Sequence, residues 1–131
     1  MAMPDEPLFA PSAVNVDRAL SEVGEHWSPR VIARVNDSYV KAVKVLGHLT
    51  WHKHDQEDEL FFVVRGRMRI EYERGRVVEL GPGEMHVVPK GTLHNPAADE
   101  ECCILLIEPV TTRHTRDVVM EKTKSIEEQL R

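Results

Sequence analysis

The sequence predicts an all-β domain, and three observations carry that expectation. Between residues 31 and 110, short runs rich in Val, Ile, Leu, Phe and Tyr alternate with turn residues. The turn signals recur there roughly every 8–12 residues, the spacing of a β-sandwich or barrel. The stretch 67–73 alternates, with Met68, Ile70 and Tyr72 on one face and Arg67, Arg69 and Glu71 on the other. Such alternation marks a half-buried antiparallel strand.

Residues 1–11 contain Pro4, Pro7 and Pro11 and read as an extended arm. Val16, Leu20, Val23 and Trp27 then fall on one helical face, which predicts a short helix over 15–27. Asn15 is its expected N-cap, and Ser28-Pro29 its stop. Strands are expected at 31–35, 38–46, 48–53, 60–65, 67–73, 76–80, 85–88 and 102–108. Asn36-Asp37, Arg65-Gly66, Arg74-Gly75 and Gly81-Pro82-Gly83 supply turns between them. The expected organisation is an arm and helix over 1–30, one barrel over 31–110, and a polar tail over 111–131. Within that tail, 117–130 reads equally as a helix or a loose extension.

Composition excludes several classes. The 131 residues carry a formal net charge of −5, with no basic run, so a nucleic-acid partner is not expected. No apolar run approaches the roughly 20 residues of a membrane span. The N-terminus carries Asp5 and Glu6 in place of the basic and apolar regions of a signal peptide. Cys102 and Cys103 are adjacent, a poor geometry for a disulfide, and lie in an apolar run as core thiols. A reducing, cytoplasmic location is therefore expected.

The chemistry concentrates in W-H-K-H-D-Q-E-D-E, residues 51–59. On a strand, His52 and His54 project to the same face and can share one cation. Glu59 opens the following strand, where it shares a face with Phe61 and Val63. An unpaired carboxylate there would be costly, and a metal ion would satisfy it. His94 follows the Pro89–Gly91 turn and is a fourth candidate donor. Three imidazoles and one carboxylate suit Fe, Mn, Co, Ni, Cu or Zn better than Ca or Mg.

These residues resemble the two motifs of the cupin superfamily. Gly47, His52, His54, Glu59 and Gly66 match the first, although only four residues separate Gly47 from His52. Gly83, Pro89, Gly91 and His94 match the second, with Ala98 where the family often has Asn. W-H-K-H, D-E-L-F, V-V-P-K-G-T-L-H-N-P and L-L-I-E-P further resemble a group of small bacterial cupins, as does the helix before the barrel. The resemblance covers about 31–110. It implies a jelly-roll β-barrel with one divalent metal near its mouth, held by His52, His54, Glu59 and His94, and usually a homodimer.

Around this site, His48 shares parity with His52 and His54 if the strand is regular from residue 48. It is the expected catalytic proton carrier. Trp51 has the opposite parity and should point outward. Tyr39, Tyr72 and Met68 either line the cavity or pack in the core, and His86 is expected near the surface. Trp27 and the strand at 31–35 are the expected contacts of a homodimer. The expected function is a metalloenzyme using Fe, Mn, Ni or Zn on a small organic molecule, with a dioxygenase placed first. A sugar isomerase or epimerase, a metal-dependent binding module and a purely structural ion are the other readings.

Overall fold

Helix α1 (Val16–Ser21) starts where its cap predicts, with the Asn15 side-chain oxygen accepting from the Arg18 N–H at 2.8 Å. The computed structural model describes residues 12–112 and 126–130. The helix is shorter than expected, closing at Ser21 with Glu22 as its C-cap. Gly24 follows, and Trp27 takes a positive φ of 58° that turns the chain into β1. The apolar face nevertheless buries as its periodicity requires: Leu20, Val23 and Trp27 are all inside.

The strands are β1 (Arg30–Val35), β2 (Ser38–His48), β3 (Glu59–Arg65), β4 (Met68–Tyr72), β5 (Val77–Leu80), β6 (Met85–Val88) and β7 (His94–Pro109). Every pairing among them is antiparallel. The path runs β1-β2-β7-β3-β6, and β4 joins β5 to β7. Strand β7 is the spine of this jelly roll. Its first residues pair with β4, and the remainder runs between β2 and β3. It begins earlier than the sequence predicts, because Pro96 and the acidic run 99–101 disguise its first half.

Strand parity sorts the residues into two cores. Val43, Val45, Phe61, Val63, Met68, Ile70, Tyr72, Cys102, Ile104 and Leu106 fill the barrel with Trp27 and Leu49. Ala19, Leu20 and Val23 pack with Ile32, Ala42 and Cys103 on the outer face. Leu20 is fully buried there, and burial of such a side chain contributes roughly 2 kcal/mol. The adjacent thiols thus serve opposite faces of one strand. Both are free, and burial pushes Cys102 up to about 12, with Cys103 adding to the shift. Gly66 (φ 87°) is required at its turn, since a Cβ there would stand 2.9 Å from the Glu101 carbonyl oxygen.

Two expectations are corrected. Residues 48–53 do not form a strand: β2 runs to His48 with a register shift between Val45 and Gly47, and 49–58 is a loop with a single bridge at His52. Trp27 is not available to a partner subunit. Its indole lies in this chain's own core and donates from Nε1 to the Leu46 carbonyl at 2.7 Å. In the tail, α2 (Ile126–Gln129) is helical, while 113–125, with His114, lie outside the described residues.

Candidate metal centre

Glu59 is the first residue of β3 and His94 the first of β7, so regular strands aim both inward. His52 and His54 come from the loop, and backbone hydrogen bonds replace the missing strand. His52 N–H donates to the His94 carbonyl at 3.0 Å, and His94 N–H to the His52 carbonyl at 2.9 Å. Gly91 N–H donates to the His54 carbonyl at 2.7 Å. Gly91 has φ 76°, which lets the Pro89–Gly91 turn close over the loop.

The four side chains converge. One donor atom from each of His52, His54, Glu59 and His94 lies within 4.8 Å of all the others, and all four residues are buried. Glu59 Oε1 stands 3.7 Å from His54 Nε2 and 3.6 Å from His94 Nε2. These separations are too long for hydrogen bonds. Donors sharing one ion at about 2.1 Å stand roughly 3–4 Å apart, as these do.

The tautomers agree with ligation. His52 Nδ1 lies 2.9 Å from the Thr50 carbonyl, and His94 Nδ1 lies 2.9 Å from the Thr92 carbonyl. A carbonyl only accepts, so each Nδ1 carries the proton and each Nε2 keeps its lone pair. Burial lowers His94 from its ordinary value. It lowers His52 to about 4, with the nearby His94 adding to the effect and the Thr50 carbonyl opposing it. Both rings are therefore neutral near pH 7, the form that binds a metal.

Glu59 Oε1 and His94 Nε2 have no hydrogen-bond partner among the described residues. Orphaned buried polar atoms cost roughly 1–3 kcal/mol each, more for a charge. A cation between them removes that cost, so the residues present fit a transition-metal ion. Beside Glu59 and His52 lies a small cavity of about 20 Å³, bounded in part by Trp27, Val43, Leu49, Phe61, Ile104 and Leu106. It is apolar on those sides and has room for about one water-sized molecule.

The structure does not bring His48 inside. A register break between Val45 and Gly47 and the end of β2 disrupt the parity on which that expectation rested. Leu49 is buried instead, and His48 is exposed with Nε2 3.1 Å from Glu71 Oε2. Trp51 points outward as expected. His86 is half-buried, and its Nε2 lies 2.7 Å from the Tyr72 hydroxyl.

Sequence reasoning missed a second polar group inside the barrel. Lys41, Glu108 and Gln129 are each almost wholly buried. Lys41 Nζ lies 3.1 Å from Glu108 Oε1 and also donates to Gln129 Oε1. The Glu108 and Glu59 carboxyls are close enough to perturb one another. Burial pushes Glu59 up to about 7, opposed by the Lys41 charge and the Glu108 contact. Burial and then the Glu59 charge push Glu108 up to about 8, opposed by Lys41. The signal was present: Lys41 shares inward parity with Tyr39 and Val43, and Glu108 with Ile104 and Leu106.

A family model described as "Cupin domain" matches residues 43–108, which contain all four donors. The chain belongs to the cupin family. A cupin-2 domain containing protein from Shewanella frigidimarina is similar at 46% identity and a TM-score of 0.72, over 74% of this chain and 94% of that one. Protein NMB1881 from Neisseria meningitidis is similar at 34% identity and a TM-score of 0.69, over 75% of this chain and 99% of that one. The uncharacterized protein YdbB of Bacillus subtilis is 34% identical over 74 residues, 56% of this cupin. The match spans 66% of that relative's own length, just under two thirds.

Proposed function

We propose that this cupin holds one divalent transition metal ion on His52, His54, Glu59 and His94 and uses it to transform a small organic molecule. The observation that carries the reading is the convergence of four buried donors, two of whose atoms have no hydrogen-bond partner among the described residues. When bound, Fe, Mn, Ni or Zn would supply Lewis acidity, and a redox-active ion would also open oxygen chemistry. The chain's own residues do the rest. The Thr50 and Thr92 carbonyls fix the ring orientations of His52 and His94, and Trp27 and Phe61 line the cavity with apolar surface.

Among reactions, oxygenation comes first. A cavity of about 20 Å³ beside two of the donors, apolar on its other sides, suits a molecule the size of O₂ and offers a sugar few polar contacts. The proton carrier expected for an isomerase or epimerase was His48, which does not face inward. The test uses nitric oxide as the O₂ probe on Fe(II)-loaded protein. Binding seen by electron paramagnetic resonance supports an open coordination position. Its absence would identify a saturated, structural ion. Turnover with Zn in the absence of oxygen would instead support the isomerase.

A homodimer and a reducing, cytoplasmic location complete the proposal. Edge strands β1 and β6 carry exposed Val35, Met85 and Val87, which a second copy could cover. Light scattering that returns the 15.0 kDa monomer would remove the dimer. The free, buried Cys102 and Cys103 are compatible with a reducing compartment. No helix among the described residues is long and apolar enough to cross a membrane.

A further inference from the structure

We propose that an open cleft on the outside of the barrel, between the β4–β5 turn and the segments that precede His52 and His94, binds a small planar aromatic carboxylate, with its ring on Trp51 and its carboxylate on Arg74. The proposal goes beyond the metal reading and does not depend on it.

The cleft holds about 440 Å³, within the range of small-molecule sites, and Trp51, Tyr72, Arg74, Val77 and Leu93 line it. Trp51 is 42% exposed and Val77 45%, so the cleft keeps a large aromatic face and an apolar wall in water. An indole face accepts a planar ring by offset stacking.

Arg74 supplies the charge. Arg74 and Gly75 take positive φ in succession, at 63° and 71°, the pattern of a type I′ hairpin turn. The Arg76 N–H donates to the Glu73 carbonyl across it at 3.4 Å. Such a turn favours Asn, Asp or Gly at its centre, and the β1–β2 connection uses Asn36 for its own positive φ. The backbone therefore gives no reason for an arginine at residue 74, whereas a guanidinium on the cleft wall does. Arg74 makes no ion pair or side-chain hydrogen bond among the described residues. Arg76 adds a second cation beside the cleft, 4.8 Å from the centre of the Tyr72 ring. Of the acids on the cleft wall, Glu71 is held by Arg69 at 2.9 Å, which leaves Glu73 against two guanidiniums. That balance favours an anion, and the guanidinium fork matches a carboxylate with two parallel hydrogen bonds. An inorganic anion would leave Trp51 and Val77 uncovered, so the ring and the carboxylate belong to one ligand.

The test uses benzoate as probe and benzamide as neutral control, followed by the amide and indole NMR signals of zinc-loaded and chelator-treated protein. Benzoate should shift the Trp51 indole signal and the Gly75 and Leu93 amides saturably, and equally with and without zinc. Benzamide should bind about tenfold more weakly, because it lacks the charge. Arg74→Asn should weaken benzoate about tenfold while raising the melting temperature, since Asn suits the turn. Arg74→Lys should keep part of the affinity, and Trp51→Ala should lose most of it. Absence of saturable shifts, equal binding of benzamide, or unweakened binding by Arg74→Asn would overturn the proposal. So would binding that needs zinc, which would assign the probe to the metal centre. Shifts of the same signals with protein concentration alone would also overturn it, by giving the cleft to a second copy. Protein that takes up no zinc still reports on the cleft through the chelator-treated sample, so the metal reading and the cleft fail separately.

Discussion

His52 and His94 exchange backbone hydrogen bonds in both directions, at 3.0 and 2.9 Å, and their rings stand 4.5 Å apart. This one bridge ties the irregular 49–58 loop to the start of β7. The two rings are therefore placed by the backbone before any ion arrives, and such preorganisation lowers the entropy lost on binding.

Glu59 contributes opposite effects to the metal-free and metal-loaded forms. Alone it is a buried carboxylate with an orphaned oxygen. Glu59→Gln should lower metal affinity at least about tenfold, since a neutral amide replaces the anionic donor. At pH 8 the same substitution should leave the melting temperature of the metal-free protein unchanged or higher, because a buried charge is removed. Calorimetric melting with and without chelator checks both. A large loss of metal-free stability would mean that Glu59 is structural.

The metal-free protein should lose stability on both sides of a mildly acidic window. Glu59 and Glu108 have folded values of about 7 and about 8 against an ordinary 4.5. Their contribution is full below pH 4.5 and is lost as pH rises through 7 to 8. His52 lies at about 4 against 6.5, so its contribution is full above pH 6.5 and lost as pH falls through 4. Between pH 4.5 and 6.5 the slopes oppose. From pH 6.5 to 8.5 only the carboxyls act, and the loss is about 2 kcal/mol. Metal should abolish that alkaline loss by accepting the Glu59 carboxylate. A chelator-treated protein whose melting point stays level from pH 6.5 to 8.5 would contradict this.

His48→Ala should change little. The side chain is exposed, and its pairing with Glu71 is a surface contact of roughly 0–1 kcal/mol. Metal content should be unchanged and, once a substrate is known, so should turnover. A large loss of turnover with metal retained would restore His48 as a proton carrier.

The fold was legible where strands are regular. Met68, Ile70 and Tyr72 alternate and bury as read, and the turns at Gly66 and Gly83 have the positive φ that glycine permits. The four donors were legible because motif spacing survives irregular backbone: His52 and His54 converge although no strand carries them. His48 was misplaced for the same reason, since parity holds only on an unbroken strand. Lys41 and Glu108 went unread because neither belongs to the two motifs that carry the four donors. Their burial depends on a partner 67 residues along the chain, and on Gln129 beyond it.

The central claim is that His52, His54, Glu59 and His94 hold one ion, and elemental analysis of untagged protein tests it most directly. The account predicts about one transition metal per chain, lost with several degrees of melting temperature in the His52→Ala/His94→Ala double variant. Full metal content in that double variant would contradict it.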